Sequence, residues 1–503
     1  MDDGIREQSS FSRRGFLGGA AAVGLASVGL LAGCSSNANA ATEDFDRETI
    51  GSSQETDVVI VGSGLAGMCA GVRACENGLK TLIVEKGSAL ATPSNSILSG
   101  GALTKPNDES EESIQTFIDE FNKKSKGKGD QDITRAIAEN ITRDLDWLVE
   151  HGVELCDPAP HTPYDCLKIY AAPGASQGMG ALMQAMVDAY KNAGGESLCN
   201  TKLLDFVFDT KGKVVGVKVR GRDGIEIITA KAVVIASGGY IGNKQLLEEF
   251  VGPDADEIMP RGSTSITGDG ILAAVRAGAM LKQMGGEASL HIGAVSPDNV
   301  ASGNPSNAIG YCLAINSEGK RYTDESLGYV NHGKALMNQP GQVAAFVYDE
   351  NVKQLEAVQK DIERFASFNS APLEANSLEE LASMIDVPAD ALQATVDEFN
   401  AAVEDDHTVG LSANKAHQAM KIETPKFYAF YPLKPGCIMG FGGLSCNAQG
   451  QVLEADGTPI PNLYVAGEAM GGVFMYDYIA GSSLDRCIVT GIIAADTITS
   501  GIK

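Results

Sequence analysis

The sequence predicts an α/β protein organised around a dinucleotide-binding unit, on three observations. First, a short apolar strand, Asp57-Val58-Val59-Ile60-Val61, runs directly into Gly62-Ser63-Gly64-Leu65-Ala66-Gly67. A helical stretch to Asn77-Gly78 follows, then a second strand from Lys80 to Val84 that ends on Glu85. A lone G-x-G-x-x-G is weak, but between strand and helix, with an acid closing the next strand, it is a strong fingerprint. Second, glycine-rich segments return far downstream, at Ser99-Gly100-Gly101, Ser237-Gly238-Gly239 and Gly467-Glu468. Third, 503 residues with 44% hydrophobic and 21% charged side chains can enclose a ligand, and they exclude wholesale disorder and a polytopic membrane protein.

At the N-terminus, Ser12-Arg13-Arg14-Gly15-Phe16-Leu17 precedes an uncharged run from Gly15 to Ala32. Paired arginines before a run rich in Gly and Ala read as a twin-arginine export signal rather than an anchor helix. Leu31-Ala32-Gly33-Cys34 reads as a lipobox with Cys34 as the lipidated new N-terminus; Ala38-Asn39-Ala40 is the alternative cleavage site. The expectation is a signal peptide over 1–34, a flexible tether over 35–53, and a lipid-anchored protein on the extracytoplasmic face of the cell membrane. Lys and Arg number 39 against 65 Asp and Glu, a net charge of −26. Such a surface repels nucleic-acid phosphate and suits a basic redox partner. The ten cysteines form no Cys-x-x-Cys, so neither attached haem nor a local iron–sulfur cluster is expected, and no metal site is predicted. Cys69 and Cys75, on one predicted helix, are expected in the core.

Within the fingerprint, Gly62, Gly64 and Gly67 allow close backbone approach, and Leu65 and Ala66 open a helix whose N-terminus faces a pyrophosphate. Glu85 would accept hydrogen bonds from the adenosine ribose, with Lys86 beside it. The returning segments separate the possible cofactors. A nicotinamide dehydrogenase needs none of them, whereas an extended FAD must be clamped at both ends by loops distant in sequence. No second strand–G-x-G-x-x-G–helix unit is present to bind NADPH.

These motifs, with Asn243, Thr267-Gly268-Asp269-Gly270, Gly319-Lys320-Arg321-Tyr322-Thr323-Asp324-Glu325 and Gly471-Gly472, resemble the FAD-dependent fumarate reductase and flavocytochrome c superfamily, which also holds the 3-ketosteroid dehydrogenases. The resemblance runs from about Thr56 to Ile498. It implies a Rossmann-like FAD-binding domain, split into 54–265 and 416–503, around an inserted α+β capping domain over 266–415, with the active site between them. It also implies FAD contacts at Asn95, Ser96, Gly100, Gly101, Gly238, Gly239 and Gly467. Glu468 would bind the ribityl chain and Asp269 the flavin side of the cofactor. The backbone of Ser483 and Leu484, at a helix N-terminus, would face the flavin N1/O2 edge. No His precedes the Ser94–Gly101 loop, so the FAD is expected to be noncovalent.

Dicarboxylate-reducing relatives hold two carboxylates with arginines and histidines. The corresponding places here are Gly328, Lys353, Met439 and Tyr478, which leave fumarate poorly paired. Instead, Glu325-Ser326-Leu327-Gly328-Tyr329 and Tyr478-Ile479-Ala480-Gly481-Ser482 are similar to ketosteroid dehydrogenase stretches that supply a catalytic tyrosine and bind a ketone. By that resemblance, hydride from flavin N5 reaches the β-carbon of an activated alkene. The Tyr478 hydroxyl and the Ser482 N–H hold the resulting oxyanion, one such donor contributing ~3–4 kcal/mol. Tyr329 delivers the proton to the α-carbon as general acid. Arg321 and Glu325 take a role at the site or a structural role linking cap and site. His291 lies one place from the family's substrate histidine, and Lys353 and His417 are expected on the surface. The expected function is an exported flavin ene-reductase acting on a C=C conjugated to a carbonyl in a small organic electron acceptor, fed by a membrane quinol dehydrogenase or a small cytochrome. The alternatives are a 3-ketosteroid-type dehydrogenase and a non-catalytic flavin electron carrier.

Overall fold

A computed structural model of the chain describes residues 54–160, 166–171, 178–284, 288–295, 301–368 and 370–502. The expected signal peptide, Cys34 and the tether lie outside the described residues.

The first unit is centred on a twisted sheet whose order is Gln451–Leu453, Pro459–Val465, Gly224–Ile235, Gln54–Val61, Thr81–Val84 and Glu196–Leu198. Gln54–Val61 runs parallel to both its neighbours, pairing Ile60 with Ile83 on one side and with Val234 on the other. Buried on both faces, these strands read as continuous apolar runs, and Val59, Ile60, Ile83, Val233 and Ile235 have no exposed surface. A hairpin of Lys202–Phe208 and Val214–Gly221 extends antiparallel from Gly224–Ile235, as the alternation there predicts. Helix Leu65–Glu76 packs closely along helix Ser482–Ile502: a Cβ at Gly491 would come within 2.5 Å of the Ala66 carbonyl oxygen. Four parallel strands therefore end together, and the chain turns at Gly62, Glu85, Ala236 and Ala466 beyond their carboxyl ends, where ligands bind in such sheets.

The second unit has its own sheet, ordered Ala301–Ser302, Ala288–Val295, Phe427–Gly440, Ala344–Asp349 and Leu313–Asn316, with Met259–Pro260 and Leu373–Ala375 also paired to Phe427–Gly440. Helices Tyr329–Met337, Glu356–Ser367 and Ala389–Ala402 accompany it, and Leu392, Val396 and Phe399 form the expected apolar stripe into a separate core around Ile315, Phe346 and Phe430. This unit is larger than the predicted 266–415. Its longest strand, Phe427–Gly440, lies within the 416–503 expected for the FAD-binding domain. That strand is mostly apolar, Lys434 excepted, so its composition does not show which sheet it joins; its partners Ala288–Val295 and Ala344–Asp349 do.

All described cysteines are free thiols, Cys69 among them buried in the core. Among the described residues no helix is long and apolar enough to cross a membrane, and no group of three or more His, Cys, Asp or Glu could hold a metal ion.

Candidate active site

Beyond the carboxyl ends of the parallel strands lies a cavity of about 1030 Å³, open to solvent. Gly62 turns there with φ +100°, and a Cβ on it would sit 2.6 Å from the Ala236 carbonyl oxygen. A Cβ on Gly67 would overlap the carbonyl oxygen of Gly62, so Gly67 locks the turn to the helix and does not line the cavity. Gly64, at the N-cap of Leu65–Glu76, would bring a Cβ no closer than 3.5 Å to Ser96 Oγ, leaving the wall open. Leu65 and Ala66 line it, and Ser96 Oγ accepts from the Leu65 N–H at 3.0 Å.

One end of the cavity is polar and acidic. Glu85 accepts from the Ser63 N–H and hydroxyl (2.9 and 2.6 Å) and from the Gly87 N–H (2.6 Å), which fixes its carboxylate in the wall. Asp269 is at this end rather than on the flavin side expected for it. It pairs with Lys86 at 2.7 Å and Lys202 at 3.0 Å, and these lysines hold its carboxyl below the ordinary value against the opposing effect of burial. The reason is chain geometry: Lys86 follows Glu85 directly, and Asp269 follows it.

The other end is formed by Asn95, Met439, Glu468, Ser483, Leu484 and Arg486. Asn95 donates to Glu468 at 3.0 Å and to the Ile438 carbonyl at 2.9 Å. Burial raises the Glu468 carboxyl to about 7, opposed by Arg486 and Asn95, and among the described residues its buried Oε1 has no hydrogen-bond partner. Gly238 lines the cavity; Gly239 instead makes room for Glu468, since a Cβ there would meet Oε1 at 2.5 Å. Gly467, with φ +68°, packs on Ala66, while Gly100 and Gly101 do not line the cavity.

Arg486 was missed. Its guanidinium is buried over the Phe474 ring at 4.6 Å, and its Nε and Nη2 have no hydrogen-bond partner among the described residues. The available signal was a basic residue in the first turns of an apolar helix, where it opposes the dipole. The buried Ser237 Oγ in the same wall is likewise unpartnered. These orphaned donors and acceptors, with two helix N-termini, require a long polar ligand, and FAD fits them. The start of Leu65–Glu76 would hold the pyrophosphate, Glu468 would accept from ribityl hydroxyls, and Arg486 with the Ser483 turn would meet the electron-rich edge of the ring.

Two phenols meet beyond Phe474, the ring that lies under Arg486 and 5.8 Å from that of Tyr478. Tyr329 opens helix Tyr329–Met337 directly after Gly328, whose φ of +83° suits glycine. Tyr478 comes from the turn before helix Ser482–Ile502. Their hydroxyls are 3.5 Å apart, and the Tyr478 hydroxyl is 3.4 Å from His291 Nε2. The His291 ring lies tilted against that of Tyr329, centroids 4.3 Å apart, so the structure brings this candidate into the cluster. Burial, and then Arg261, holds its pKa well below the ordinary value, so it is neutral. Arg261 is the second residue missed.

Two expected roles change. Ser482 is fully buried, its N–H donates to the Ile479 carbonyl at 3.1 Å and its hydroxyl to the same oxygen at 2.6 Å. The tight turn through Gly481 (φ +102°) consumes that donor, so it is not available to an oxyanion. Arg321 and Glu325 are also removed from the reacting atoms. Glu325 accepts from Arg321 (2.9 and 2.8 Å) and from the Ala314 N–H (2.9 Å), with Lys415 at 3.7 Å, all inside the second unit. Against burial, Lys415 and then Arg321 hold the Glu325 carboxyl below its ordinary value. Arg321 also donates to the Ala413 carbonyl. The cluster anchors the turn from which Tyr329 emerges. Lys353 is at the edge of the second unit, bonded to Tyr428 at 3.0 Å, and His417 is exposed, both as expected.

A cavity of this shape at the end of a parallel sheet, flanked by a second unit carrying a phenol, defines an FAD-dependent oxidoreductase. The FAD binding domain family model matches residues 57–484, and the chain belongs to that family. It is 24% identical over 453 residues to a probable fumarate reductase of Shewanella frigidimarina, covering 89% of this chain and 75% of that one. It is 29% identical over 398 residues to an NADH:acrylate oxidoreductase of Vibrio harveyi, covering 76% of this chain but 38% of that protein. Its fold matches the solved 3-ketosteroid delta1-dehydrogenase of Sterolibacterium denitrificans with a TM-score of 0.73 at 20% identity, covering 89% of this chain and 100% of that one.

Proposed function

We propose that this protein reduces a C=C conjugated to a carbonyl in a small organic electron acceptor. The observation that carries the reading is the pair Tyr329 and Tyr478, drawn from two units of the fold, with hydroxyls 3.5 Å apart and the Tyr478 hydroxyl 3.4 Å from His291 Nε2. Relatives named for fumarate and acrylate support an alkene conjugated to a carboxyl carbon.

FAD, when bound, would supply the hydride that a conjugated C=C accepts. The Tyr478 hydroxyl donates to the carbonyl oxygen, where negative charge grows, and does so from a fixed position beside His291. Tyr329 transfers its proton to the α-carbon and is reprotonated from solvent. One π bond is lost, two C–H bonds form, and an external donor restores the two electrons. Arg321 and Glu325 hold the Tyr329 turn in place. The paired Arg13-Arg14 and Cys34 support work outside the cytoplasm, and the net charge of −26 suits a basic cytochrome or a quinol-linked donor.

The test is anaerobic oxidation of reduced methyl viologen by conjugated alkenes with purified holoenzyme. Tyr329→Phe and Tyr478→Phe should each lower turnover about 10²-fold with flavin content unchanged. Full activity in either variant removes that phenol from the mechanism. Oxidation of a saturated ketone with a dye acceptor, without alkene reduction, assigns the dehydrogenase direction instead.

A further inference from the structure

Arg261 reaches the phenol cluster through a gap in the second sheet. It follows Met259–Pro260, which pairs with Gly436 and Cys437, and its N–H donates to the Cys437 carbonyl at 2.9 Å. Its aliphatic stem lies over Gly436: a Cβ there would sit 2.5 Å from Arg261 Cγ and 2.6 Å from Cδ. Gly436 is also the register partner of His291 on the opposite strand. The missing side chain at Gly436 thus lets the guanidinium cross toward His291, whose Nε2 is 3.4 Å from the Tyr478 hydroxyl.

The residue is only partly covered, but among the described residues its buried Nη1 has no hydrogen-bond partner and Arg261 makes no ion pair. Among the described residues no carboxylate is paired with it. His291 is neutral, the nearby groups that interact with it electrostatically are Tyr478, Arg364 and Tyr329, and Arg364 is a like charge already bonded to the Asn304 carbonyl. Burial draws the Arg261 pKa down to about 10, which still leaves it charged at neutral pH. A guanidinium whose Nη1 is buried and without a partner among the described residues, beside two phenols and a neutral imidazole, selects an anion.

We infer that Arg261 holds a carboxylate of the substrate, so that the preferred alkene is an α,β-unsaturated monocarboxylic acid. This rests on the ene-reductase reading and narrows it. One carboxylate, not two, follows from the charge count: the other cluster members are phenols and a neutral imidazole. The remainder of the substrate is apolar, because the Tyr478 ring is flanked by Phe474 and Phe441 at 5.8 and 6.2 Å. Planar guanidinium matches carboxylate in a bidentate manner that an ammonium does not, so Lys at this place should restore charge but not full binding.

The test uses trans-cinnamate, its methyl ester and benzylideneacetone with holoenzyme and reduced methyl viologen. In the wild type, cinnamate should exceed both neutral analogues in kcat/KM by roughly ten- to a hundredfold. Arg261→Met should abolish that preference mainly through KM, leaving benzylideneacetone within about threefold of its wild-type kcat/KM, with Arg261→Lys intermediate for cinnamate. Equal use of the neutral ketone and the acid by the wild type, or an equal loss for both in Arg261→Met, overturns the assignment. Titration of oxidised holoenzyme with cinnamate, followed by the flavin absorbance, separates the two readings. Saturable binding that weakens in Arg261→Met, with no alkene turnover in any variant, upholds the carboxylate site and sinks the ene-reductase. No binding of the acid to the wild type sinks the carboxylate site.

Discussion

Glu325→Leu leaves two cations in the core of the second unit without their anion. Glu325 is fully buried and receives two hydrogen bonds from Arg321, one from the Ala314 N–H, and Lys415 at 3.7 Å. Removing one partner of a buried ion pair costs about 3–5 kcal/mol, and an orphaned backbone N–H a further 1–3 kcal/mol or so. A domain is stable by about 5–15 kcal/mol, so the variant should be close to unfolded in this unit. Urea unfolding followed by far-ultraviolet circular dichroism, with limited proteolysis to locate the opened segment, measures the loss. The triple variant Arg321→Met, Glu325→Leu, Lys415→Met removes all three charges and should recover most of the stability, because buried ion clusters are replaceable by apolar groups of similar volume. It should also recover turnover, since these residues position Tyr329 and do not touch the reacting atoms. The reasoning fails if the triple variant is no more stable than the single one. It fails equally if Glu325→Leu keeps the wild-type midpoint yet loses its turnover, for then the carboxylate acts in the chemistry.

Gly67→Ala should yield protein with little bound FAD, read as flavin absorbance per chain, because the new Cβ overlaps the Gly62 carbonyl; a normal flavin content would show that this turn is not under close packing. His332 is buried, stacks on Phe346 at 4.7 Å, and has neither ring nitrogen bonded among the described residues; burial draws its pKa to about 3. The unfolded chain takes up this proton below about pH 6.5 and the folded one does not, so stability is full above that pH and falls by about 1.4 kcal/mol per unit between about 6.5 and 3. His332→Phe should flatten the acid side of the urea-midpoint profile, and an unchanged slope would assign the acid sensitivity to other groups.

What could be read before folding was what neighbouring residues encode. Gly62, Gly64, Gly67 and Glu85 belong to one strand–turn–helix–strand run, and their backbone demands are met locally. Placing Asn95, Glu468, Ser483 and Leu484 at the cavity came from the family resemblance, and the structure puts all four in its wall. The readings that moved depended on contacts across the chain. Asp269 went to the Glu85 end because Lys86 and Lys202 meet it there, and Ser482 lost its free N–H to a turn whose closure only coordinates reveal. The strand Phe427–Gly440 changed units because apolar sequence does not specify a partner sheet.

The amino-acid order carried the glycine-rich turn and the FAD cofactor, and the family resemblance singled out the two tyrosines. Folding decided the charge around them: Arg486 enters from an apolar helix, and Arg261 crosses over a glycine far along the chain. The physical reason is range. Backbone conformation is set by a few consecutive residues, whereas the electrostatic character of a site is a sum over side chains that become neighbours only when separate strands pair and water is excluded between them.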